Sequence, residues 1–219
     1  MKLFDAVTLD VGGTLIEPWP SVGHLYAQVA QSFGARDVTP KELSDAFKNA
    51  WRGRQDFDYS KRAWRMLVNE TFAGANGFRV SDECFDAIYT KFGHAAAWRV
   101  FDDVRPFLAR AAREGVRLAL ISNWDERLEN LLAELELFQP FDAVVASHEV
   151  GHRKPAREIF LQAAQRLALE ANRILHVGDA EEEDFHGATA AGFQAVLLQR
   201  GGASGQGRIS SLQEIRPIQ

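Results

Sequence analysis

Leu9-Asp10-Val11-Gly12-Gly13-Thr14-Leu15 stands directly behind an apolar run that begins at Phe4. A short apolar, β-branched segment that gives way to glycine reads as a buried strand entering a turn. Open α/β sheets carry their reactive groups at the carboxyl ends of such strands, and Asp10 falls at that point. By itself, an aspartate before two glycines is most simply a turn former. Three further polar clusters at strand ends or helix starts change that reading. They are Ser122-Asn123 behind Val116 to Ile121, Lys154 before Pro155, and Gly178-Asp179 with Asp184 behind Ile174 to Val177.

Outward from the first strand, the pattern turns helical. Leu25, Val29 and Phe33 recur four apart, and Leu43 with Phe47 do the same. Trp64, Leu67 and Val68, then Phe85, Ile88, Tyr89 and Phe92, keep the three-four spacing of amphipathic helices. The spacing predicts a four-helix bundle inserted over residues 17–98. Beyond Asp102 comes a helix from Val104 to Glu114, a strand from Val116 to Ile121, a helix from Glu126 to Leu135 and a strand from Ala143 to Ala146. Helix and strand go on alternating through Val196. Alternation of this kind requires crossovers, and hence a mostly parallel sheet covered on both faces. The expected fold is α/β, a doubly wound Rossmann-like parallel sheet built from residues 1–16 and 99–219, with the helical-bundle cap inserted over 17–98. The Gly-rich stretch Arg200 to Arg208 lacks periodicity and apolar content and is expected to be a mobile surface loop.

Composition narrows the function classes. A chain of 219 residues with 46% hydrophobic content can bury one sizeable core and a smaller appended domain, which excludes disordered and fibrous classes. A net charge of -5 speaks against a dedicated nucleic-acid binder, while a local basic patch still suits a small anionic substrate. The one cysteine, Cys84, has no partner within the chain, which fits a reducing cytoplasmic setting. Met1-Lys2 leads straight into the first strand, and no run approaches the roughly 20 apolar residues of a membrane span. No membrane partner is therefore expected, and the oligomeric state stays open.

The order of the four polar clusters resembles that of the haloacid dehalogenase-like hydrolase superfamily, from about residue 4 to 198. The resemblance implies that Asp10 attacks phosphorus to form an aspartyl-phosphate, a role that suits a carboxylate ionised at neutral pH. It further implies that Thr14 braces the nucleophile loop at the substrate, and that Ser122 and Asn123 bind the transferring group at a helix entry that Asp125 could cap. Lys154 would offset the repulsion between attacking and attacked anions, serving both catalysis and substrate binding. Mg2+ is the implied cofactor, with Asp10, Asp179 and the Gly12 carbonyl as direct ligands and Asp184 holding a metal-bound water. Glu181, Glu182 and Glu183 are expected to face solvent.

Position 12 departs from the resemblance. Most phosphatases of the superfamily carry there a second aspartate, which protonates the leaving alcohol and then activates water. Its absence costs about two to four orders of magnitude in rate, least for good leaving groups such as aryl or acyl phosphates. A neutral residue there also suits a 2-haloacid dehalogenase, against which Asp179 argues, because carbon displacement of halide has no need of a metal ligand. It suits equally a phosphonate hydrolase using Lys48 or Lys61 as a Schiff-base lysine, and a non-enzymatic phosphate- and metal-binding protein that has lost turnover. In the cap, Arg52, Arg54, Lys61, Arg62 and Arg65 lie among Trp51, Phe57, Tyr59 and Trp64, as either an anion clamp or a solvated helix face.

Overall fold

The computed structural model describes residues 4–52, 54 and 57–215; Met1 and Lys2, read above as the lead into the first strand, lie outside the described residues. In chain order the elements begin with β1 (Ala6–Leu9), β2 (Ile16–Pro18), α1 (Val22–Ser32), α2 (Pro40–Trp51), α3 (Lys61–Ala75) and α4 (Asp82–Lys91). They continue with β3 (Trp98–Val100), α5 (Val104–Arg113), β4 (Arg117–Ser122), α6 (Leu128–Glu134), β5 (Ala143–Ala146) and α7 (Ser147–Val150). The chain closes with α8 (Arg157–Leu167), β6 (Ile174–Gly178), α9 (Gly187–Ala190), β7 (Gln194–Leu198) and β8 (Arg208–Ile209). Two compact units result, one of Met1–Ile16, Val100–Glu126 and Glu136–Gln219, the other of Glu17–Arg99 and Arg127–Leu135. Residues 127–135, which the sequence pattern assigns to the α/β alternation, thus gather with the helical unit.

The first unit is built on a six-stranded sheet of order β5-β4-β1-β6-β7-β8 whose paired strands all run parallel. This is the α/β, Rossmann-like architecture expected from the alternation. β1 is buried along its whole length, which is why it reads as nearly continuous apolar sequence rather than alternating. Leu9 lies level with Leu120 of β4 and with Val177 of β6, so Asp10, Ser122 and Asp179 emerge together at the carboxyl ends of three neighbouring interior strands. Ala6, Ala119, Ile121 and Val145 pack against Ile159, Phe160, Ala163 and Leu167, the three-four face of α8.

Two expectations are corrected in this unit. The first is corrected only in part: residues 201–206 are the exposed surface loop expected, but the stretch is tied down at both ends, closing in β8, which pairs with β7, while the Arg200 guanidinium donates to the Thr14 carbonyl at 2.6 Å. Arg200 also pairs with Asp103 at 2.9 Å and lies over the Phe101 ring, contacts that no local pattern announces. Helix α6 begins at Leu128 with Arg127 at its N-cap, so Asp125 stands too early to cap it.

In the helical unit, α1 to α4 each start at a hydroxyl residue, Ser21, Thr39, Ser60 and Ser81, whose side chain accepts from a backbone N–H of the first turn. Tyr26, Leu43, Phe72, Phe85 and Ile88 form their common core, whereas Phe33 ends α1 exposed. The cationic cluster does not form a clamp of free charges: Arg54 pairs with Glu70, Arg65 with Asp82, and Lys61 with Asp86 at 2.8 Å. β2 and β3 pair as a separate two-stranded sheet where the chain leaves and re-enters the α/β unit. Among the described residues no helix is long and apolar enough to cross a membrane.

Candidate active site

The loop after β1 is folded by its own backbone. The Asp10 N–H donates to the Val177 carbonyl at 3.0 Å, extending the ladder with β6 by one rung. The Val11 carbonyl then accepts from Leu15 at 2.8 Å and Ile16 at 3.1 Å, closing the Gly12-Gly13-Thr14 turn. Two donors converge on one oxygen of the Asp10 carboxylate: Ser122 Oγ lies 3.1 Å and Lys154 Nζ 2.6 Å from Oδ1. Thr14 is fully buried, and its hydroxyl has no hydrogen-bond partner among the described residues.

Lys154 is only 2% exposed and bridges two carboxylates, its Nζ also lying 2.6 Å from Asp184 Oδ1. Burial disfavours its charged form, but the Asp10 and Asp184 charges outweigh this and hold the ammonium well above the usual lysine range. Asn123, expected to touch substrate, instead clamps the Lys154 backbone. Its Oδ1 accepts from the Lys154 N–H at 2.7 Å, and its amide donates to the Lys154 carbonyl at 3.0 Å and to Glu183 Oε2 at 3.0 Å. Both amide hydrogens are thereby used, and the side chain fixes the backbone of the lysine. Glu183 is correspondingly half-buried, not solvent-facing as expected; burial raises its pKa, with Asp184 and Asp10 adding to the effect.

Asp184 is 1% exposed and lies in a turn of π-helix, Glu181–His186, behind β6. Its Oδ2 accepts from the Ala180 N–H at 3.0 Å, and its Oδ1 lies 3.1 Å from His176 Nε2. His176, whose role the sequence reading missed, is fully buried in β6, and its Nδ1 hydrogen-bonds Thr8 Oγ1 of β1 at 2.9 Å. Burial pushes the Asp184 carboxyl up, but the Lys154 charge and the His176 contact prevail and hold it well below the carboxylate range.

Asp179 completes the acidic group. One carboxylate oxygen from each of Asp10, Asp179 and Asp184 lies within 4.8 Å of the others. Glycine makes this approach feasible: a Cβ on Gly13 would fall 2.2 Å from Asp179 Oδ2, and one on Gly178 would fall 2.2 Å from Asp184 Cγ. Asp179 is exposed at its rim, yet dehydration by the surrounding atoms and then the Asp10 and Asp184 charges push its pKa up to about 7. Burial likewise keeps Asp10 above its ordinary value despite Lys154. Like charges this close call for a cation, and an all-carboxylate set of hard oxygens suits a divalent metal.

A family model described as haloacid dehalogenase-like hydrolase matches residues 4–192. The chain belongs to that family. This hydrolase is 32% identical over 206 residues to haloacid dehalogenase-like hydrolase domain-containing protein 3 of Mus musculus, an alignment covering 88% of this chain and 80% of the relative. Among solved structures it is similar to a HAD phosphatase from Thermococcus onnurineus, with a TM-score of 0.69, 23% identity and coverage of 97% of this chain and 96% of the other. It is also similar to the HAD hydrolase YfnB of Bacillus subtilis, solved bound to magnesium, with a TM-score of 0.79, 14% identity and coverage of 98% and 97%. At these identities the likeness is one of fold.

Proposed function

We propose that this hydrolase is a Mg2+-dependent phosphatase that acts on a small phosphorylated, anionic molecule through an aspartyl-phosphate on Asp10. The observation that carries this reading is the convergence of the Asp10, Asp179 and Asp184 carboxylates beside a fully buried lysine. Asp10 and Asp179, with the Gly12 carbonyl, are assigned as direct ligands, and Asp184, already held by three donors, as the residue that orients a metal-bound water. When bound, Mg2+ supplies the positive charge that offsets the transferring phosphoryl group. The magnesium-bound and phosphatase descriptions of two structural neighbours point the same way. The one cysteine, buried Cys84, suits a cytoplasmic setting.

The protein's own groups divide the work. Ser122 and Lys154 both engage Oδ1 of Asp10, which leaves Oδ2 to attack phosphorus. The bond from phosphorus to the ester oxygen breaks and its electron pair leaves with that oxygen. Lys154 stays within reach of the charge that develops, in a position fixed by Asn123. Water then attacks the acyl phosphate, releasing phosphate and restoring Asp10.

The competing chemistries fit less well. Displacement of halide from carbon has no use for three converged carboxylates. A Schiff-base lysine needs a desolvated amine, whereas Lys48 is exposed and Lys61 is exposed and paired with Asp86. Release of phosphate from an ester panel, measured with Mg2+ and with excess EDTA, tests the proposal. Turnover only with metal is expected. Chloride release from a 2-haloacid in EDTA, or metal binding without turnover of any ester, would refute it.

A further inference from the structure

Arg200 stands two residues beyond the end of β7, and its backbone is held on either side. The Gln199 N–H donates to the Ile209 carbonyl at 2.8 Å, and the Gly202 N–H returns to the Gln199 carbonyl at 2.9 Å. The half-buried side chain makes contacts in three directions. Its guanidinium carbon lies 3.8 Å from the centre of the Phe101 ring, one terminal nitrogen reaches the Thr14 carbonyl at 2.6 Å, and the other meets Asp103 Oδ1 at 2.9 Å. Asp103 is itself fixed, its Oδ2 accepting from Ser211 Oγ and from the Leu212 N–H, both at 2.8 Å. The Phe101 N–H donates to the Leu15 carbonyl at 3.0 Å. One guanidinium therefore ties the turn behind Asp10 to the segment in which the chain returns to the α/β unit, and all of these residues belong to that unit.

We infer that Arg200 is a positioning residue for the reaction, one that holds the Gly12-Gly13-Thr14 turn from which Asp10 and the Gly12 carbonyl bind Mg2+. The inference rests on the phosphatase reading and deepens it. A guanidinium fixes the direction of its N–H groups as well as its charge, and stacking on a ring fixes its plane. The turn it holds has little slack. Gly13 packs so closely on Asp179 that a Cβ there would fall 2.2 Å from Oδ2, and the Val11 carbonyl is already shared by the Leu15 and Ile16 N–H groups. A shift of the Thr14 carbonyl is therefore passed to Gly13 and Asp179 on one side and to Asp10 on the other. Arg200 touches no reacting atom and acts through this backbone. Misplacing an attacking group by about 1 Å costs about 10²-fold in rate.

The experiment compares the full chain with Arg200→Met, Arg200→Lys and Arg117→Met. Arg117 supplies the control, because its guanidinium likewise donates to a carbonyl, that of Leu167, and approaches an aspartate, Asp142, at 4.0 Å, but from the amino end of β4. Arg200→Met is expected to weaken Mg2+ binding about tenfold in a calorimetric titration, the low end for losing a group that orients metal ligands. With phenyl phosphate, kcat and kcat/KM should fall together by about ten- to 10²-fold. Amide hydrogen exchange should quicken at Gly13, Leu15 and Ile16, whose N–H groups close the turn. Arg200→Lys keeps a charge beside Asp103 without the fork, so it should melt near the parent and still lose Mg2+ affinity. Arg117→Met should leave Mg2+ affinity, kcat and exchange in the turn at parent values. A folded Arg200→Lys with parent Mg2+ affinity and kcat overturns the inference, as do equal losses in Arg117→Met; if Arg200→Met does not fold, Arg200→Lys decides. A parent that binds Mg2+ and releases phosphate from no ester refutes the phosphatase reading, and titration and exchange then decide the inference by themselves.

Discussion

Replacing Lys154 with methionine removes one charge while keeping most of the side-chain volume. Asp10 and Asp184 would then face each other in the interior without the cation that now sits 2.6 Å from each. Removing one partner from a buried ion pair costs about 3–5 kcal/mol. In a chain of this size each kcal/mol shifts melting by about 2–4 °C, so the variant should melt roughly 6–20 °C lower in EDTA near pH 7. The loss has a pH signature. Burial raises the Asp184 pKa, but the Lys154 charge and the His176 contact outweigh it and leave it depressed. A depressed carboxylate adds stability above its unfolded value of about 3.9 and loses it as pH falls through the folded value. Methionine removes that depression, and the desolvated carboxylates then take up protons more readily when folded than when unfolded. The variant's deficit is therefore largest at neutral pH and narrows towards about pH 4.5, the opposite of what a packing defect gives. Calorimetric melting of parent and variant at both pH values is the assay, with Mg2+ expected to recover part of the loss. A deficit below about 1 kcal/mol, or one equal at both pH values, would show that the lysine charge does not hold these carboxylates together.

Asp10→Asn should abolish phosphate release with the fold retained, which matched activity and melting measurements check; turnover near the parent rate would remove Asp10 as nucleophile. Asp179→Asn should weaken magnesium binding by about tenfold or more in a calorimetric titration, and unchanged affinity would exclude it as a ligand. Gly178→Ala brings a methyl group to 2.2 Å from Asp184 Cγ, so it should cost about 1–3 kcal/mol and loosen the metal site together, read by melting and titration. Chelation should abolish turnover of every ester, with recovery on adding back Mg2+.

The interior strands were legible because burial on both faces leaves a run of apolar residues, and the helices because one buried stripe leaves a three-four period. β2, β3 and β8 were not, since elements of three, three and two residues are too short to carry a period and depend on distant pairing. Asp10, Ser122, Lys154, Asp179 and Asp184 could be read as polar residues at element ends, and the fold brings them together at the carboxyl ends of the interior strands. His176 sits mid-strand, and its partner Thr8 is 168 residues away, so only the coincidence of two polar residues in otherwise apolar strands hinted at the link. Glu183 looked like one of several surface acids, because the π-turn that swings it to Asn123 leaves no mark on an acidic run.

The place of β1 within the sheet sets an order for assembly during synthesis. β1 is synthesised before both of its partners, β4 from Arg117 and β6 from Ile174, so it must wait for both before its edges are satisfied. At about 5–20 residues per second, the interval before β6 appears is roughly ten to thirty seconds. During that time the helices between β2 and β3, joined by mostly local contacts, can form early, while β1 remains an unpaired apolar segment. A ribosome stalled before Ile174 would display a chain with helices in place and a strand open on one side, a natural point of engagement for a chaperone that binds extended apolar sequence.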